Sequence, residues 1–424
     1  MDADQRTRSC TRMPAVAGPG RPRESKQICV PMPRELDDQL WDDPKRLRPF
    51  LERLMADMPE LFPAGIEQGF TLTGRLRASV KLGVRLRQLR LRDKRVFTLR
   101  PRFVFGSRTG TVDEWEQPLL LLSIGTPCWV VTKVCGRNDM FWQRLLERLG
   151  RNSLVGTTVR DPEQMPVPLA ADEHHADWCG EKGYVALTAG GGCVLGLGLA
   201  LTKAADDQHL AAAYGAFQKE ALDAVPEYVP QTVNTDGWNS TRNAFRALSP
   251  AILLVLCFLH GFLKIRDRCR KAHDLHQQVW YVYHAETRDE FTSRMTAFGT
   301  WFESRAWPQE VTDMVTKLRN RTDDYALGDT HPGCHRTSNQ VDRPMNRLHR
   351  ALHASRGLHG HQASGERRLR GLVLLHNFRP FAPRSNQPRP HDSPAHRLNQ
   401  KRYHTHWLHN LQASASLAGY KTHT

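Results

Sequence analysis

Residues 232–260 read TVNTDGWNSTRNAFRALSPAILLVLCFLH. A β-branched run ends on an acid, Asp236. STRNAFRAL then has a helical period, and AILLVLCFLH is an apolar run closing on Cys257-x-x-His260. Strand, short helix and buried strand in that order suit a crossover in an α/β sheet. In such sheets the carboxyl end of a strand directs its last side chain out toward a ligand. The stretch therefore delivers one carboxylate to a sheet rim and places a Cys/His pair on the following strand.

Upstream, VPLAADEHH is a short apolar run with an acid, Asp172, at its expected end. KGYVALTAGGGCVLGLGLALT reads as two strands about a glycine turn, and DQHLAAAYGAFQKEALDAV as a helix with Leu210, Tyr214, Phe217 and Leu222 on one side. A phosphate-binding loop needs a helix directly after its glycines. CVLGLGLALT reads as strand, so Gly190–Gly192 is a hairpin turn. The resulting β-β-β-α-β-α-β order predicts an α/β domain of RNase H-like type, a mixed sheet flanked by helices.

Downstream the α/β rhythm breaks. FTSRMTAFGTWF sets Phe291, Met295, Phe298 and Phe302 at helical spacing and predicts an all-helical insertion. Asp342 then opens a helix whose Met345, Leu348 and Leu352 should pack on the sheet. The expected organisation is a flexible basic arm over 1–35 and an N-terminal DNA-binding region over 36–160. The first part of the core follows over 166–265, the insertion over 266–334, the last core helices over 335–380 and a mostly irregular basic tail over 381–424, with one short helix at HWLHNLQASASL. In the N-terminal region, 76–105 alternates basic and apolar residues and suits strands with a solvated cationic face. Residues 119–136 and 138–153 look like two helices about a glycine turn, which fits a helix-turn-helix or an ordinary helical hairpin.

The chain has 424 residues, 60 Lys and Arg against 44 Asp and Glu, and a formal charge of +16. That excess favours a polyanionic partner, nucleic acid ahead of an anionic membrane. The longest apolar stretch, Ala251–Leu263, is too short to span a bilayer, and no apolar signal core stands at the N-terminus. Nine cysteines without a CxxC suggest reduced thiols in a cytoplasm.

Asp172, Asp236 and Asp342 are thus expected at one rim. Three hard oxygen ligands suit Mg²⁺ or Mn²⁺. A pair of such ions can activate a nucleophile and steady the leaving oxygen of a phosphodiester. Any one of these acids alone reads equally well as a turn or cap residue.

The blocks AADEHHADWCGEKGYVALTAGGGCVLG, TVNTDGWNSTRNAFRALSP, CFLHGFLKIRDR and HRTSNQVDRPMNRL together resemble bacterial insertion-sequence transposases of the DDE type. They are similar to the branch with a helical insertion and a C-x2-H signature, akin to Mutator-like elements. The resemblance implies that Asp172, Asp236 and Asp342 are the catalytic acids and hold two Mg²⁺ ions. It implies Cys257 and His260 as the C-x2-H pair, with Trp238 a further accessory candidate. It also implies double-stranded DNA as substrate, a homo-oligomer on DNA, and a cytoplasmic, nucleoid-associated protein of a mobile element. Asp stands at 342 where most such enzymes carry Glu, and Pro344 stands where an aliphatic residue is usual. If Asp342 is the N-cap, Pro344 falls in the first turn and costs little. The alternatives are an inactive or domesticated DNA-binding protein with the same fold, and an RNase H-like nuclease without strand transfer. A zinc site would need His331, Cys334 and His335 beside Cys257 and His260. Glu366 and Asp329 are the reserve candidates for a third acid.

Overall fold

The computed structural model describes residues 26–32, 40–75, 84, 86–106, 110–178, 180–201, 206–331, 334, 337–383 and 392–420. Four strands form a first sheet: β1 (Gln27–Val30), β2 (Phe70–Arg75), β3 (Arg87–Leu91) and β4 (Val96–Pro101), in the order β1-β4-β3-β2. β1 runs parallel to β4, and the other neighbours are antiparallel. Helix α1 (Pro44–Asp57) covers this sheet with Leu47, Leu51 and Leu54, and Asp43 caps it. Most of the arm expected over 1–35 lies outside the described residues, but Ile28, Cys29 and Val30 are fully buried in β1.

The expected cationic face of 76–105 is corrected in part. β3 and β4 are strands, yet Arg87 and Arg100 point inward and are 3% and 4% exposed. Arg87 donates to the carbonyls of Trp41 and Asp42, and Arg100 to Val104 O and Gln412 Oε1. Alternation fixes which residues share a face but not whether that face meets water.

The second sheet carries β5 (Pro168–Trp178), β6 (Glu181–Gly190), β7 (Cys193–Ala200), β8 (Thr232–Thr235) and β9 (Leu253–Leu256), in the order β7-β6-β5-β8-β9. β5, β6 and β7 are antiparallel, and β5, β8 and β9 are parallel. The chain is therefore an α/β protein with two mixed sheets. The hairpin turn is as expected, with Gly191 at φ +58° and Gly192 at φ +82°. Such left-handed positions favour glycine.

Before this sheet come α2 (Val112–Ser123), α3 (Cys128–Cys135), α4 (Asp139–Leu149) and α5 (Leu154–Thr158). The expected first helix of 119–136 breaks at Ile124–Pro127, where Gly125 takes φ +92°. α2 and α4 are not set apart as a module. Trp115, Leu119, Trp142, Leu145 and Leu149 share one core with Val185, Leu187 and Val194 of the sheet.

Helix α6 (Asp207–Ala224) packs on the opposite face through Leu210, Tyr214 and Phe217. It approaches so closely that a Cβ on Gly198 would stand 2.2 Å from Ala213 O. Leu222, expected on the buried side, is 41% exposed. Five residues after Phe217 is about 500° of helical rotation, well off the apolar stripe.

α7 (Asn239–Leu248) links β8 and β9. The apolar run then turns helical earlier than expected: Cys257 is the N-cap of α8 (Phe258–Arg268), and His260 lies in its first turn. α9 (His273–Tyr283), α10 (Arg288–Glu303), α11 (Gln309–Arg319) and α12 (Thr322–Ala326) complete the helical insertion. As expected, Phe291, Met295, Phe298 and Phe302 are buried together.

α13 (Asn339–Ala354) and α14 (Gln362–Phe378) return to the sheet, with Met345, Leu348 and Leu352 in its core. The tail forms the short helix expected at HWLHNLQASASL, α16 (Trp407–Ser414), and, beyond expectation, α15 (Pro394–Asn399) and a final turn, Ser416–Gly419. Trp407, Leu408 and Leu411 join the large core, and Leu417 joins the first sheet's core. Ser416 Oγ donates to Leu61 O (2.6 Å) and accepts from Cys29 N (3.0 Å). A polar composition hid four apolar anchors.

Candidate active site

β5 alternates its side chains between the two faces of the sheet. Ala170 and Ala176 face the core beneath α13, so Asp172 and His174 face that side too. Asp172 does not end its strand, as the sequence suggested. β5 continues to Trp178 in partnership with β6, while its parallel pairing with β8 stops at Ala170. Asp172 sits where β8 has left the ladder, so its carboxylate still looks out over a rim. Asp236 is the residue after β8, as expected.

Asp342 lies in the first turn of α13, whose N-cap is Ser338. The expectation that Asp342 might itself cap the helix is therefore corrected. Ser338 Oγ donates to both carboxylate oxygens of Asp342, at 3.1 and 3.2 Å. Pro344 is inside the helix, not at its start. An interior proline removes one backbone bond and costs on the order of 3 kcal/mol.

Asp172 lies within electrostatic reach of both Asp342 and Asp236. Burial, then the charge of Asp342, then that of Asp236, push Asp172 up to about 6, against the cation of His260 and the Glu173 amide. That amide, at 2.9 Å, is the hydrogen bond Asp172 receives. Asp236 accepts from Trp238 N at 2.8 Å, an Asx turn that also sets Trp238, whose ring lies 5.5 Å from Tyr184.

Cys257 and His260 lie beside the acids. The Ser338 amide donates to Cys257 Sγ at 3.3 Å, and the Ser338 hydroxyl, whose single proton is directed to Asp342, lies 3.3 Å from the same sulfur. Burial opposes ionisation of Cys257, but His260 and Ser338 bring its thiol below the usual range. His260 is raised to about 9, first by its hydrogen bond to Cys257 and further by Asp172 and Asp342. It is cationic at neutral pH, and its buried Nδ1 has no partner. The pair thus ties α8, the start of α13 and the acids into one network.

Sequence reasoning missed two neighbours. Glu173 turns to the other face, where Tyr214 Oη donates at 2.5 Å and Thr241 also donates; burial holds it up at about 7. His174 Nε2 and His349 Nδ1 stand 2.8 Å apart, joining β5 to α13 beyond the acids. The clue to both was the run DEHH itself, since successive strand residues must serve opposite faces.

Other candidates fall away from the rim. Glu366 lies beside Arg370 and Glu220 in a separate buried centre. The side chain of Asp329, and all of His335, lie outside the described residues. Among the described residues no three His, Cys, Asp or Glu side chains stand close enough to hold one metal ion, zinc included. The donor chemistry at the rim nevertheless suits a hard cation. A largely buried carboxylate feels two more acids, with one amide donor and the cation of His260 as its only counterweights among the described residues, and oxygen donors of this kind are those a divalent ion prefers.

The described cysteines are all free thiols, and no described helix is long and apolar enough to cross a membrane. No family model matches the chain, and no curated protein matches it closely enough to count as a relative.

Proposed function

We propose that this chain is a metal-dependent DNA-cutting and strand-transferring enzyme of the DDE transposase type, built on an RNase H-like sheet. The observation that supports the reading is that Asp172, largely buried, feels the charges of Asp342 and Asp236 from two other segments and is raised to about 6 by burial and by those two. The sheet order β7-β6-β5-β8-β9, antiparallel on one side and parallel on the other, supports the fold assignment. So does the helical insertion between β9 and α13.

The three carboxylates would hold Mg²⁺ or Mn²⁺, which supplies an activated water and charge neutralisation for phosphodiester cleavage. The chain's own residues position the rest. Ser338 fixes the rotamer of Asp342, and the Trp238 amide fixes that of Asp236. His260, raised to about 9, would offset the negative charge gathered around Asp172 and Asp342. Element ends and target DNA are the proposed substrates, with a homo-oligomer assembled on them.

A second reading has its own support. Each acid has a local partner, and none of the described acids closes into a ligand shell. An inactive DNA-binding protein that retains the fold would look like this. Incubating the purified chain with supercoiled plasmid carrying its flanking DNA decides between them. Mg²⁺- or Mn²⁺-dependent nicking and joined products support the transposase. Nicking without joining leaves a nuclease. DNA binding with no cleavage in either metal leaves the inactive protein.

A further inference from the structure

Along the helix that carries Asp342 lies a cavity of about 760 Å³ that the function above does not use. It is bounded by the start of α13, the hairpin glycines Gly191 and Gly192, the end of α14 and the helix α15. Four arginines line it, Arg343, Arg347, Arg379 and Arg397, and no described Asp or Glu does. Among the described residues, Arg343 and Arg379 make no ion pair or side-chain hydrogen bond, and Arg347 bonds only to the His376 ring.

That arrangement is costly on its own. His376 is fully buried and held neutral by desolvation and by Arg347 and Arg379, so it accepts from Arg347 and adds no charge. Burial, then Arg379, Arg350 and Arg343, bring Arg347 down to about 10. Buried or crowded charges are ordinarily paired. Elsewhere this chain follows that rule, as with Arg370 and Glu220 or Arg294 and Glu290. Here no described carboxylate answers Arg343, which is exposed, or Arg347 and Arg379, which are partly buried, and the cavity leaves room for a counter-charge from outside. Guanidinium forks match phosphate oxygens two at a time and are weakly hydrated, so they suit a partly buried phosphate site. The volume exceeds what one phosphate needs and lies within the about 300–1,000 Å³ of ordinary ligand cavities.

We propose that this cavity binds the consecutive phosphates of a DNA strand as it leaves the acid rim. Asp342 and Arg343 are neighbours in α13, so the cavity opens on the next face of the helix that carries the third acid. The identity of the polymer rests on the function proposed above; the polyphosphate chemistry rests on the cavity alone.

The test is binding of a short fluorescent oligothymidylate to the full chain in EDTA, so that cleavage plays no part and its failure elsewhere leaves this result intact. Arg343→Gln/Arg379→Gln should weaken binding at least tenfold and flatten the slope of log K against log salt by about 1.4, two phosphates at about 0.7 each on a single strand. Arg343→Lys/Arg379→Lys should keep the slope. Because the arginines repel one another, the Gln pair should also melt at or above the wild-type temperature without anion, and should lose the rise that inorganic tripolyphosphate gives the wild type. Wild-type affinity and slope in a folded Gln pair would overturn the proposal. So would tripolyphosphate binding as tightly as the oligonucleotide and displacing it, which would assign the cavity to a small polyphosphate.

Discussion

Two buried charge centres are built on opposite terms. At Glu220 every charge is answered. The carboxylate accepts from Ser153 Oγ (2.9 Å), Leu154 N (2.6 Å) and Val155 N (3.2 Å), and pairs with Arg370. Arg370 donates in turn to Gly150 O and Asn152 O, both at 3.1 Å. At Asp172 the carboxylate receives one amide, has the cation of His260 near it without a hydrogen bond, and faces two like charges. The first centre caps α5 and locks α14 to α6. The second gains nothing structural from its burial. Satisfied charge marks what holds the fold, and unsatisfied charge marks what awaits a partner.

The largest expected effect tests the second centre. Asp172→Asn or Asp342→Asn should lower Mg²⁺-dependent plasmid cleavage by on the order of a thousandfold or more, about 4 kcal/mol in the barrier, with DNA binding unchanged. Ser338 can still donate to the amide oxygen of the substituted side chain, so the thermal midpoint of Asp342→Asn should hold. Full cleavage by either variant would remove the distinction between the two centres.

The next effect falls on the first centre. Glu220→Ala leaves Arg370 buried beside Glu366 alone and should cost about 3–5 kcal/mol in urea unfolding, as breaking a buried pair does. A loss below about 1 kcal/mol would show that Arg370 finds compensation the structure does not display.

Sign separates the centres more sharply than size. Asp172 rises from 3.8 to about 6 on folding. A carboxylate raised in the fold destabilises above its folded value and is relieved as pH falls toward its unfolded one. At about 1.4 kcal/mol per pH unit, and allowing for relaxation, Asp172→Asn should stabilise the metal-free protein by about 1–2 kcal/mol at pH 7. The gain should vanish near pH 4. Destabilisation at pH 7 would place Asp172 with the structural charges.

The smallest effect concerns His409, in contact with His404 and His406 at ring separations of 4.8 and 5.0 Å. Desolvation and those two rings bring it from 6.5 to about 4. A histidine lowered in the fold contributes fully above its unfolded value, and that contribution is lost as pH falls from 6.5 toward 4. Half-buried and screened by solvent, it should amount to about 1 kcal/mol. His409→Gln should flatten the fall of thermal midpoint over that pH range; an unchanged profile would assign the acid sensitivity elsewhere.

How much of this was legible in the sequence follows from the kind of signal involved. The second sheet was readable because its strands are continuous apolar runs and Gly191–Gly192 leaves one economical turn. The places of two acids were readable, since Asp236 follows a strand and Asp342 precedes an apolar stripe, whereas Asp172 was not recognised as lying inside a longer strand. The C-terminal anchors were readable only as one short helix, not as part of a core. Trp407, Leu408, Leu411 and Leu417 are few among polar residues, and they are buried by long-range partners that no local window contains. The cationic cavity was equally hidden, because Arg343, Arg347, Arg379 and Arg397 come from three separate segments of the chain. Arg87 and Arg100 erred the other way: basic residues in alternating strands suggest a wet face, yet the carbonyls of Trp41 and Val104 receive them inside.

The bond from Cys29 N to Ser416 Oγ spans 387 residues. At about 5–20 residues per second of synthesis, β1 waits about 20–80 s for the turn that completes its core. Until then the first sheet lacks Leu417, and Gln412 has not reached Arg100. The fold thus contains a clock: a nascent chain can collapse around its central sheet but cannot close its amino-terminal domain before translation has passed the last helix.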